Sequence, residues 1–390
     1  MYSPESHPAL RAEAVVDLGA IRHNVATLRA VAGSAQLMTV VKADAYGHGL
    51  LPVARAAREA GADWIGAAVI EEALALRAGG DTGRIFCWLT APGEDLTGAV
   101  AAGIDLSASA PWGIDELSAA ARATGTTARV HLKIDTGMSR AGATPDEWPE
   151  LVRIARAAEA TGLIEIAGIW SHLALADDPK NPVNDQQLEV FQAAVDDAAA
   201  LGVRPPFRHI ANSGGTLRLP ASHFDLVRPG VATYGLSPFG RAITPTELGL
   251  RPAMTLRARL SVVKRVSAGT GISYGHTYVT TAPTTIGLLP LGYGDGIPRH
   301  ASGAGPVWVA GERRTLVGRV CMDQSLIDLG DDDVQPGAEV VLFGPGDRGE
   351  PTVDDWADAA GTINYEIVTR LGARVPRTYV DPARTEGVTG

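Results

Sequence analysis

Five apolar runs of the sequence end in polar residues that can do chemistry. The first lies in residues 39–49, where the run ends at Lys42 and is followed by Tyr46 and two glycines. A lysine at the end of a buried strand is poorly solvated, so we expect its pKa to fall toward the range where the neutral amine is a nucleophile or base. The alternative is a lysine whose stem lies along the strand edge while its ammonium reaches water.

The other four runs end at residues 135–140, 171–172, 212–216 and 228–231. Each has a simpler explanation, such as a turn at 135–137, a buried histidine at His172 or a helix cap at Ser213. Ser213 nevertheless offers a hydroxyl beside backbone N–H groups, and Gly230 permits close backbone approach, which together suit a phosphate. A lysine facing such a cradle suggests pyridoxal phosphate, bound as a Schiff base.

The pattern around these residues predicts the elements that position them. Eight apolar runs alternate with alanine-rich helical segments between residues 36 and 231. Eight β-α units predict an α/β fold, a (β/α)8 TIM-like barrel, with all five polar segments at its C-terminal mouth. A doubly wound open sheet is the alternative. The predicted strands are 36–41, 64–69, 84–89, 104–108, 129–134, 164–169, 207–211 and 224–228, and the predicted helices include 51–60, 70–78, 114–123, 147–160 and 184–201.

The pattern changes after Gly240, where short alternating segments separated by Gly, Pro and Asp predict a mostly β-strand C-terminal domain. We therefore predict a barrel over residues 11–246 and a β-rich domain over residues 247–383. Residues 1–10 are predicted to belong to the β-rich domain as well. The predicted elements of the second domain are strands 253–266, 285–291, 306–309, 315–320, 325–329 and 339–343, and a helix at 353–371.

Composition excludes several classes of function. A net charge of -10 and a pI near 5.4 argue against nucleic-acid or anionic-membrane partners. Only two cysteines occur, and the nine histidines lack metal-ligand spacing, so neither a disulfide framework nor a metal site is expected. The sequence shows neither a signal-peptide pattern nor a long apolar run, so the cytoplasm is the expected compartment.

Six segments of the sequence resemble, in the same order, motifs of the alanine racemase family. The resemblance extends from about residue 10 to 380. Where the family more often has Asn and Ala-Ala, this sequence has Asp44 and Gly214-Gly215, and the glycine pair is expected to loosen the phosphate loop. The six segments are residues 41–49, 133–140, 273–275, 292–296, 320–324 and 364–366.

The resemblance implies a two-base mechanism with pyridoxal 5'-phosphate as cofactor. Lys42 would carry the cofactor and face the Cα–H of the D-enantiomer, while Tyr274 would act on the opposite face. A tyrosine with a pKa of about 10 is a poor base at neutral pH, so it needs cationic neighbours. The resemblance assigns that role to His172 and Arg228. Arg228 would also donate to the pyridine nitrogen, which must then stay unprotonated.

The resemblance also assigns the remaining site residues. Arg140 would lie beside the phenolic oxygen of the cofactor and contact the substrate, and Lys133 would be carbamylated to hold that arginine. Met322 and Asp323 would bind the substrate, and Tyr293 would line its entrance. The phosphate would be bound by Tyr46, Ser213, the backbone of Gly230 and Val231, and Tyr365 of the second domain.

Because Lys42 and Tyr274 fall in different domains, the resemblance implies a head-to-tail homodimer in which the β domain of one subunit covers the barrel mouth of the other. The implied function is interconversion of L- and D-alanine, which supplies D-alanine for peptidoglycan. Three alternatives remain open: a racemase of broader specificity, a pyridoxal-phosphate-dependent decarboxylase of amino acids, and a non-catalytic protein that binds the cofactor.

Overall fold

The computed structural model describes residues 10–381, which form two compact units. One unit is Ala20–Arg251, and the other combines the residues up to Gly19 with those from Pro252 onward. The first strand, β1 (Ala12–Asp17), belongs to the second unit because it pairs with strands from the C-terminal part of the chain. Residues 11–19, predicted as the start of the barrel, therefore lie in the strand-rich unit. The predicted contribution of residues 1–9 falls outside the described residues.

The unit Ala20–Arg251 is a nearly closed barrel of eight parallel strands, as predicted. From Gln36–Val40 to Phe207–His209 each strand pairs with the next in sequence, and the last strand, at Leu226–Val227, pairs with the first. An open doubly wound sheet does not return to its first strand in this way, so that alternative is excluded. The strands are β2 (Gln36–Val40), β3 (Trp64–Ala67), β4 (Arg84–Cys87), β5 (Asp105–Ala108), β6 (Ala128–Lys133), β7 (Ile164–Trp170), β8 (Phe207–His209) and β9 (Leu226–Val227).

Large side chains fill the interior of the barrel. Met38, Trp64, Phe86, Trp170 and Leu226 form one buried cluster, contributed by five different strands. Because this cluster fills the interior, the polar residues that follow the strands can face a ligand at the C-terminal mouth.

The second unit is built on a nine-stranded sheet that includes β1, and two further short strands, at Gly271–Ile272 and Tyr278–Val279, pair with each other. The predicted strand 253–266 is wrong as one element, because residues 260–261 change partner: Leu260 N–H bonds to Ala338, whereas Ser261 N–H bonds to Leu288. The strands are β10 (Met254–Arg259), β11 (Val262–Val266), β12 (Gly271–Ile272), β13 (Tyr278–Val279), β14 (Thr284–Leu289), β15 (Pro306–Val309), β16 (Glu312–Val317), β17 (Ser325–Gly330), β18 (Glu339–Phe343) and β19 (Arg377–Val380).

The helices agree with the prediction except at the C-terminal end. The predicted helix 353–371 is broken at Gly361, whose φ of +65° caps the first half in the left-handed region. The helices are α1 (Leu18–Ala32), α2 (Lys42–Tyr46), α3 (Leu50–Glu59), α4 (Ile70–Ala78), α5 (Thr97–Ala101), α6 (Pro111–Thr124), α7 (Trp148–Ala160), α8 (Val183–Ala200), α9 (Ser213–Arg218), α10 (Val353–Ala360) and α11 (Asn364–Thr369).

The segment α2 is a left-handed turn. Ala43, Asp44, Ala45 and Tyr46 all have φ between 52° and 54°, which costs an L-residue about 1–2 kcal/mol each. The carboxylate of Glu72 in α4 stabilises the turn. Its Oε1 accepts the N–H of Ala43 at 2.6 Å, and its Oε2 accepts the N–H of Ala68 at 3.1 Å. The side chain of Asp44 accepts the N–H of Leu50 at 2.7 Å, which fixes the exit of the turn.

We expect Glu72→Gln to lower the free energy of unfolding by about 1–3 kcal/mol, because an amide nitrogen would then face one of the backbone N–H groups. Urea denaturation followed by circular dichroism measures the change. The matched control is Glu71→Gln on the exposed face of the same helix, which should change stability by less than about 0.5 kcal/mol. Equal losses in the two variants would contradict the assigned role of Glu72.

Candidate functional site

Lys42 lies two residues beyond the end of β2 and is partly buried at the barrel mouth. Its Nζ is 5.9 Å from the centre of the Tyr46 ring. Burial lowers the pKa of Lys42, the charge of Arg140 lowers it further, and Glu72 opposes the shift. The amine is therefore more easily neutral than that of an exposed lysine, as the sequence predicted, and can act as a nucleophile or base.

A small polar cradle lies at the ends of β8 and β9. The hydroxyl of Ser213 accepts the N–H of Gly230 at 2.9 Å and that of Ala232 at 3.3 Å. A Cβ on Gly230 would overlap the Tyr46 hydroxyl, so that position requires glycine. The structure thus brings together Tyr46, Ser213, Gly230 and the adjoining Val231, four of the five residues predicted to bind phosphate.

The glycine pair after Ser213 has a packing role that the sequence did not reveal. A Cβ on Gly214 would overlap the carbonyl oxygen of Ala176, and one on Gly215 would lie 2.9 Å from a methyl carbon of Leu173. Both glycines are buried. They let α9 pack closely on the segment after β7, so the expectation of a looser loop is not supported at these positions.

Arg228 is buried at the end of β9 and donates to several acceptors. Its Nη2 contacts the carbonyl of Ser171 at 2.7 Å and Nδ1 of His172 at 3.3 Å, while its Nη1 contacts Nδ1 of His209 at 2.9 Å. Burial lowers the pKa of Arg228 to about 9, so the guanidinium is still protonated at neutral pH.

His172 is neutral in this environment. Burial, followed by the charge of Arg228, holds its pKa well below the usual value. Because Nδ1 accepts from Arg228, the proton of the neutral ring lies on Nε2, which is left as a donor. The predicted pair of cationic neighbours is therefore one cation, Arg228, and one neutral imidazole.

Lys133 lies at the end of β6, with its Nζ 4.4 Å from the centre of the Trp170 ring. Burial, and then the charges of Arg140 and Arg228, lower its pKa to about 8. Arg140 itself is exposed in the loop that follows β6. A substantial fraction of the Lys133 amine is thus neutral near physiological pH.

The barrel mouth fits pyridoxal phosphate. Lys42 supplies an amine, Ser213 and Gly230 supply the phosphate cradle, and Arg228 supplies a donor for the pyridine nitrogen. No acceptor among residues 10–381 contacts the Nε–H of Arg228, so this donor is available to a ligand.

Tyr274 lies in the strand-rich unit, on a short turn with unusual backbone angles. Ser273 and His276 have φ of 63° and 45°, and Gly275 has φ of 71°. The Ser273 hydroxyl donates to the carbonyl of Arg319 at 2.7 Å, which ties the turn to the segment before Cys321. The Tyr274 side chain is 70% exposed.

Met322, Asp323 and Tyr293 lie together in the same unit. The N–H of Tyr293 bonds to the carbonyl of Cys321 at 3.0 Å, and that of Gly294 bonds to the carbonyl of Met322 at 2.8 Å. Arg374 bridges Asp323 at 2.8 Å and the buried Asp295 at 3.1 Å. Tyr365, the predicted phosphate ligand of this unit, lies partly buried in α11.

Four residues that contact this machinery were not predicted from the sequence. The Glu72 carboxylate accepts a backbone N–H of the turn after Lys42. A chain of hydrogen bonds leads from Arg228 into the barrel through His209, His131 and Asp105. The available signal was a histidine in the middle of an apolar strand, at His131, and another at the end of a strand, at His209. Such a pattern is usual for a buried histidine with a partner, but it does not identify the partner.

Within residues 10–381, no helix has the length and apolar character needed to cross a membrane. No group of three or more His, Cys, Asp or Glu side chains in the same range is arranged to hold a metal ion.

Comparison with known proteins identifies the family. Residues 16–238 match the model of the alanine racemase N-terminal domain, and residues 253–379 match that of the C-terminal domain. Alanine racemase of Frankia casuarinae is 58% identical over 371 residues, covering 95% of this chain and 97% of that protein. Alanine racemase of Streptomyces coelicolor is 56% identical, covering 97% of this chain and 98% of that protein.

The solved structures agree. The crystal structure of alanine racemase from D-cycloserine-producing Streptomyces lavendulae has a TM-score of 0.95 at 54% identity, covering 97% of this chain and 99% of that one. Alanine racemase from Streptomyces coelicolor A3(2) has a TM-score of 0.93 at 57% identity, covering 95% and 98% of the two chains. Both the sequence and the fold therefore show that this chain belongs to the alanine racemase family of enzymes.

Proposed function

We propose that this enzyme interconverts L- and D-alanine with pyridoxal 5'-phosphate, using Lys42 and Tyr274 as acid–base groups on opposite faces of the substrate Cα. The observation that carries the proposal is the barrel mouth itself, where a lysine of lowered pKa, a phosphate cradle and a donor-only guanidinium converge. Membership of the family supports alanine as the substrate.

Lys42 would hold the cofactor, and Tyr46, Ser213, Gly230, Val231 and Tyr365 would bind its phosphate. When bound, pyridoxal phosphate supplies the electron sink that makes the Cα proton of an amino acid acidic. Arg228 can only donate a hydrogen bond, so it keeps the pyridine nitrogen unprotonated and limits the strength of that sink. By limiting that sink, Arg228 would favour prompt return of the proton to Cα, which is the outcome racemisation requires.

Lys42 and Tyr274 would exchange protons with opposite faces of Cα. The lowered pKa of Lys42 lets its amine accept a proton near neutral pH. Tyr274 needs its phenolate stabilised, and the Nε2–H of His172 and the charge of Arg228 are suited to that task. Arg140, together with the backbone of Met322 and Asp323, would orient the substrate, and Tyr293 would line its entrance.

We also propose that the active enzyme is a homodimer with shared sites. Tyr274 is 70% exposed, Met322 54% and Ile363 60%, which is a large exposure for apolar and aromatic side chains of one unit. A head-to-tail arrangement would place these residues over the barrel mouth of the partner subunit. The cellular role that follows is formation of D-alanine in the cytoplasm, from which peptidoglycan is then supplied.

A chiral assay tests the reaction class. We expect the wild-type enzyme with pyridoxal phosphate to form D-alanine from L-alanine, with much lower rates for L-serine and L-lysine. Lys42→Ala should abolish the product, whereas Lys264→Ala, which changes an exposed lysine of the strand-rich unit, should retain activity. Comparable rates with serine would indicate a broader racemase. Release of carbon dioxide or an aldehyde without any D-amino acid would establish a decarboxylase instead.

Mixing two inactive variants tests whether the sites are shared. In a mixed dimer of Lys42→Ala and Tyr274→Phe, one of the two sites would contain both intact residues. Random assortment should therefore restore about a quarter of wild-type activity, because half of the dimers are mixed and half of their sites are intact. Co-expression with two affinity tags measures this. If both bases came from one chain, the mixture would stay inactive.

Intact-mass measurement tests carbamylation of Lys133. Its pKa of about 8 means that the neutral amine, the form that attacks carbon dioxide, increases as the pH rises through that value. In bicarbonate at mildly alkaline pH we expect the native mass to exceed the sequence mass by one carbon dioxide, and the excess to disappear in acid. Lys133→Met should show no excess at either pH. An unmodified wild-type mass at alkaline pH would contradict the assignment.

A further inference from the structure

Four buried side chains connect the barrel mouth to its lower end. Nη1 of Arg228 lies 2.9 Å from Nδ1 of His209, Nε2 of His209 lies 2.8 Å from Nδ1 of His131, and Nε2 of His131 lies 3.2 Å from Oδ2 of Asp105. Asp105, His131 and His209 are each 0% exposed, and Arg228 is 5% exposed. The four residues come from β5, β6, β8 and the end of β9, and we call them the barrel relay.

The direction of every hydrogen bond in the barrel relay follows from its two ends. A guanidinium only donates, so Nδ1 of His209 must be unprotonated and its proton must lie on Nε2. That N–H donates to Nδ1 of His131, which places the His131 proton on Nε2, where it donates to Asp105. One orientation therefore satisfies all three bonds with both imidazoles neutral.

The protonation states support this orientation. Burial holds the pKa of His209 well below its usual value, and it lowers the pKa of His131 although Asp105 raises it. Burial raises the pKa of Asp105, but the hydrogen bond from His131 and the hydrogen bond and charge of Arg129 outweigh it and lower the pKa below its usual value. Both rings are thus neutral between a cation and an anion.

The surrounding packing makes room for the barrel relay. A Cβ on Gly168 in β7 would overlap the His131 ring, so a side chain at that position would displace it. The Trp170 ring stacks on His209 with an interplanar angle of 10°, and Phe86 lies 4.6 Å from His131 between ring centres. The two aromatic rings pack against the imidazoles, and the hydrogen bonds of the barrel relay link one imidazole to the other.

His209 is the acceptor at Nη1 of Arg228, whereas Nη2 contacts the carbonyl oxygens of Ser171 and Ile210 and the ring of His172. Among residues 10–381, no carboxylate lies within ion-pair distance of Arg228, and Asp105 reaches it only through the two histidines. The Asp105 carboxylate also forms ion pairs with Arg129 and, at 3.4 Å, with Arg84. These two arginines hold the carboxylate in place independently of His131. A carboxylate in direct contact would neutralise the charge of Arg228, whereas a distant one orients it and leaves its field at the mouth.

We propose that Asp105, His131 and His209 are positioning residues that hold Arg228 as an oriented cationic donor toward the pyridine nitrogen of the cofactor. The inference rests on the proposed function for the identity of that acceptor. The barrel relay itself is a property of the protein and can be measured separately.

Nitrogen-15 NMR of histidine-labelled wild-type holoenzyme tests the barrel relay directly. We expect His131 and His209 each to show one protonated ring nitrogen, at Nε2, and one unprotonated nitrogen, at Nδ1, unchanged throughout the pH range in which the enzyme is folded. A doubly protonated ring, or a proton on Nδ1 of His209, would overturn the proposal. This result does not depend on whether the enzyme racemises alanine, so failure of the proposed function would be recognised separately.

The variant His131→Phe tests the consequence for Arg228. It removes the link between Asp105 and His209 while keeping an aromatic ring among aromatic neighbours. We expect kcat to fall by about a hundredfold with the KM for alanine little changed, because Arg228 would contact the cofactor and not the substrate. The pH at which the absorption of the bound cofactor changes should also shift.

The matched control is Phe86→Leu, which disturbs packing against the same two rings without removing a hydrogen bond of the barrel relay. It should lower thermal stability, leave the cofactor absorption titration in place and preserve kcat. If both variants changed kcat and the titration equally, the barrel relay would be a packing feature and the proposal would fail.

Discussion

A buried guanidinium without a carboxylate beside it, among the described residues, determines the chemistry of the barrel mouth. Burial and the charge of Arg228 both lower the pKa values of His172 and Lys133, and the acceptors around Arg228 are carbonyl oxygens and two neutral imidazoles. The mouth therefore keeps a positive potential that suits a phosphate and a carboxylate. Because His172 is neutral and a fraction of Lys133 is neutral near physiological pH, neither group must first lose its charge to take part in chemistry there.

The architecture could be predicted from the sequence because it depends on repeated local patterns. The eight apolar runs from Gln36 to Val227 each correspond to a barrel strand, and the polar residues at their ends lie at one mouth, as parallel strands require. Lys42, Ser213 and Arg228 could be singled out for the same reason. The predictions of two long elements, strand 253–266 and helix 353–371, were wrong. The strand is divided by a change of partner at residues 260–261, and the helix ends at a left-handed cap at Gly361. Neither feature changes the hydrophobic periodicity of the sequence.

The side chains that support the site could not be predicted, because their roles depend on contacts between distant strands. Glu72 looks like any acidic residue in the first turn of a helix, which is a favourable position in its own right. Only the structure shows that its carboxylate accepts backbone N–H groups of a left-handed turn. Both catalytic candidates adjoin such strained backbone, Lys42 before residues 43–46 and Tyr274 between Ser273 and His276. Backbone in these regions is maintained by the surrounding fold and not by local preference.

The pairing of β1 has a consequence for the order in which the protein is made. Of the described strands this one is synthesised first, yet its partners are β10, in register at Ala12 with Ala258, and β19, in register at Val16 with Tyr379. The barrel segments are complete once residue 251 has been synthesised, whereas β1 cannot pair with β19 until Val380 has been made. During synthesis the alternating apolar face of β1 therefore waits longer for its partners than any barrel strand does.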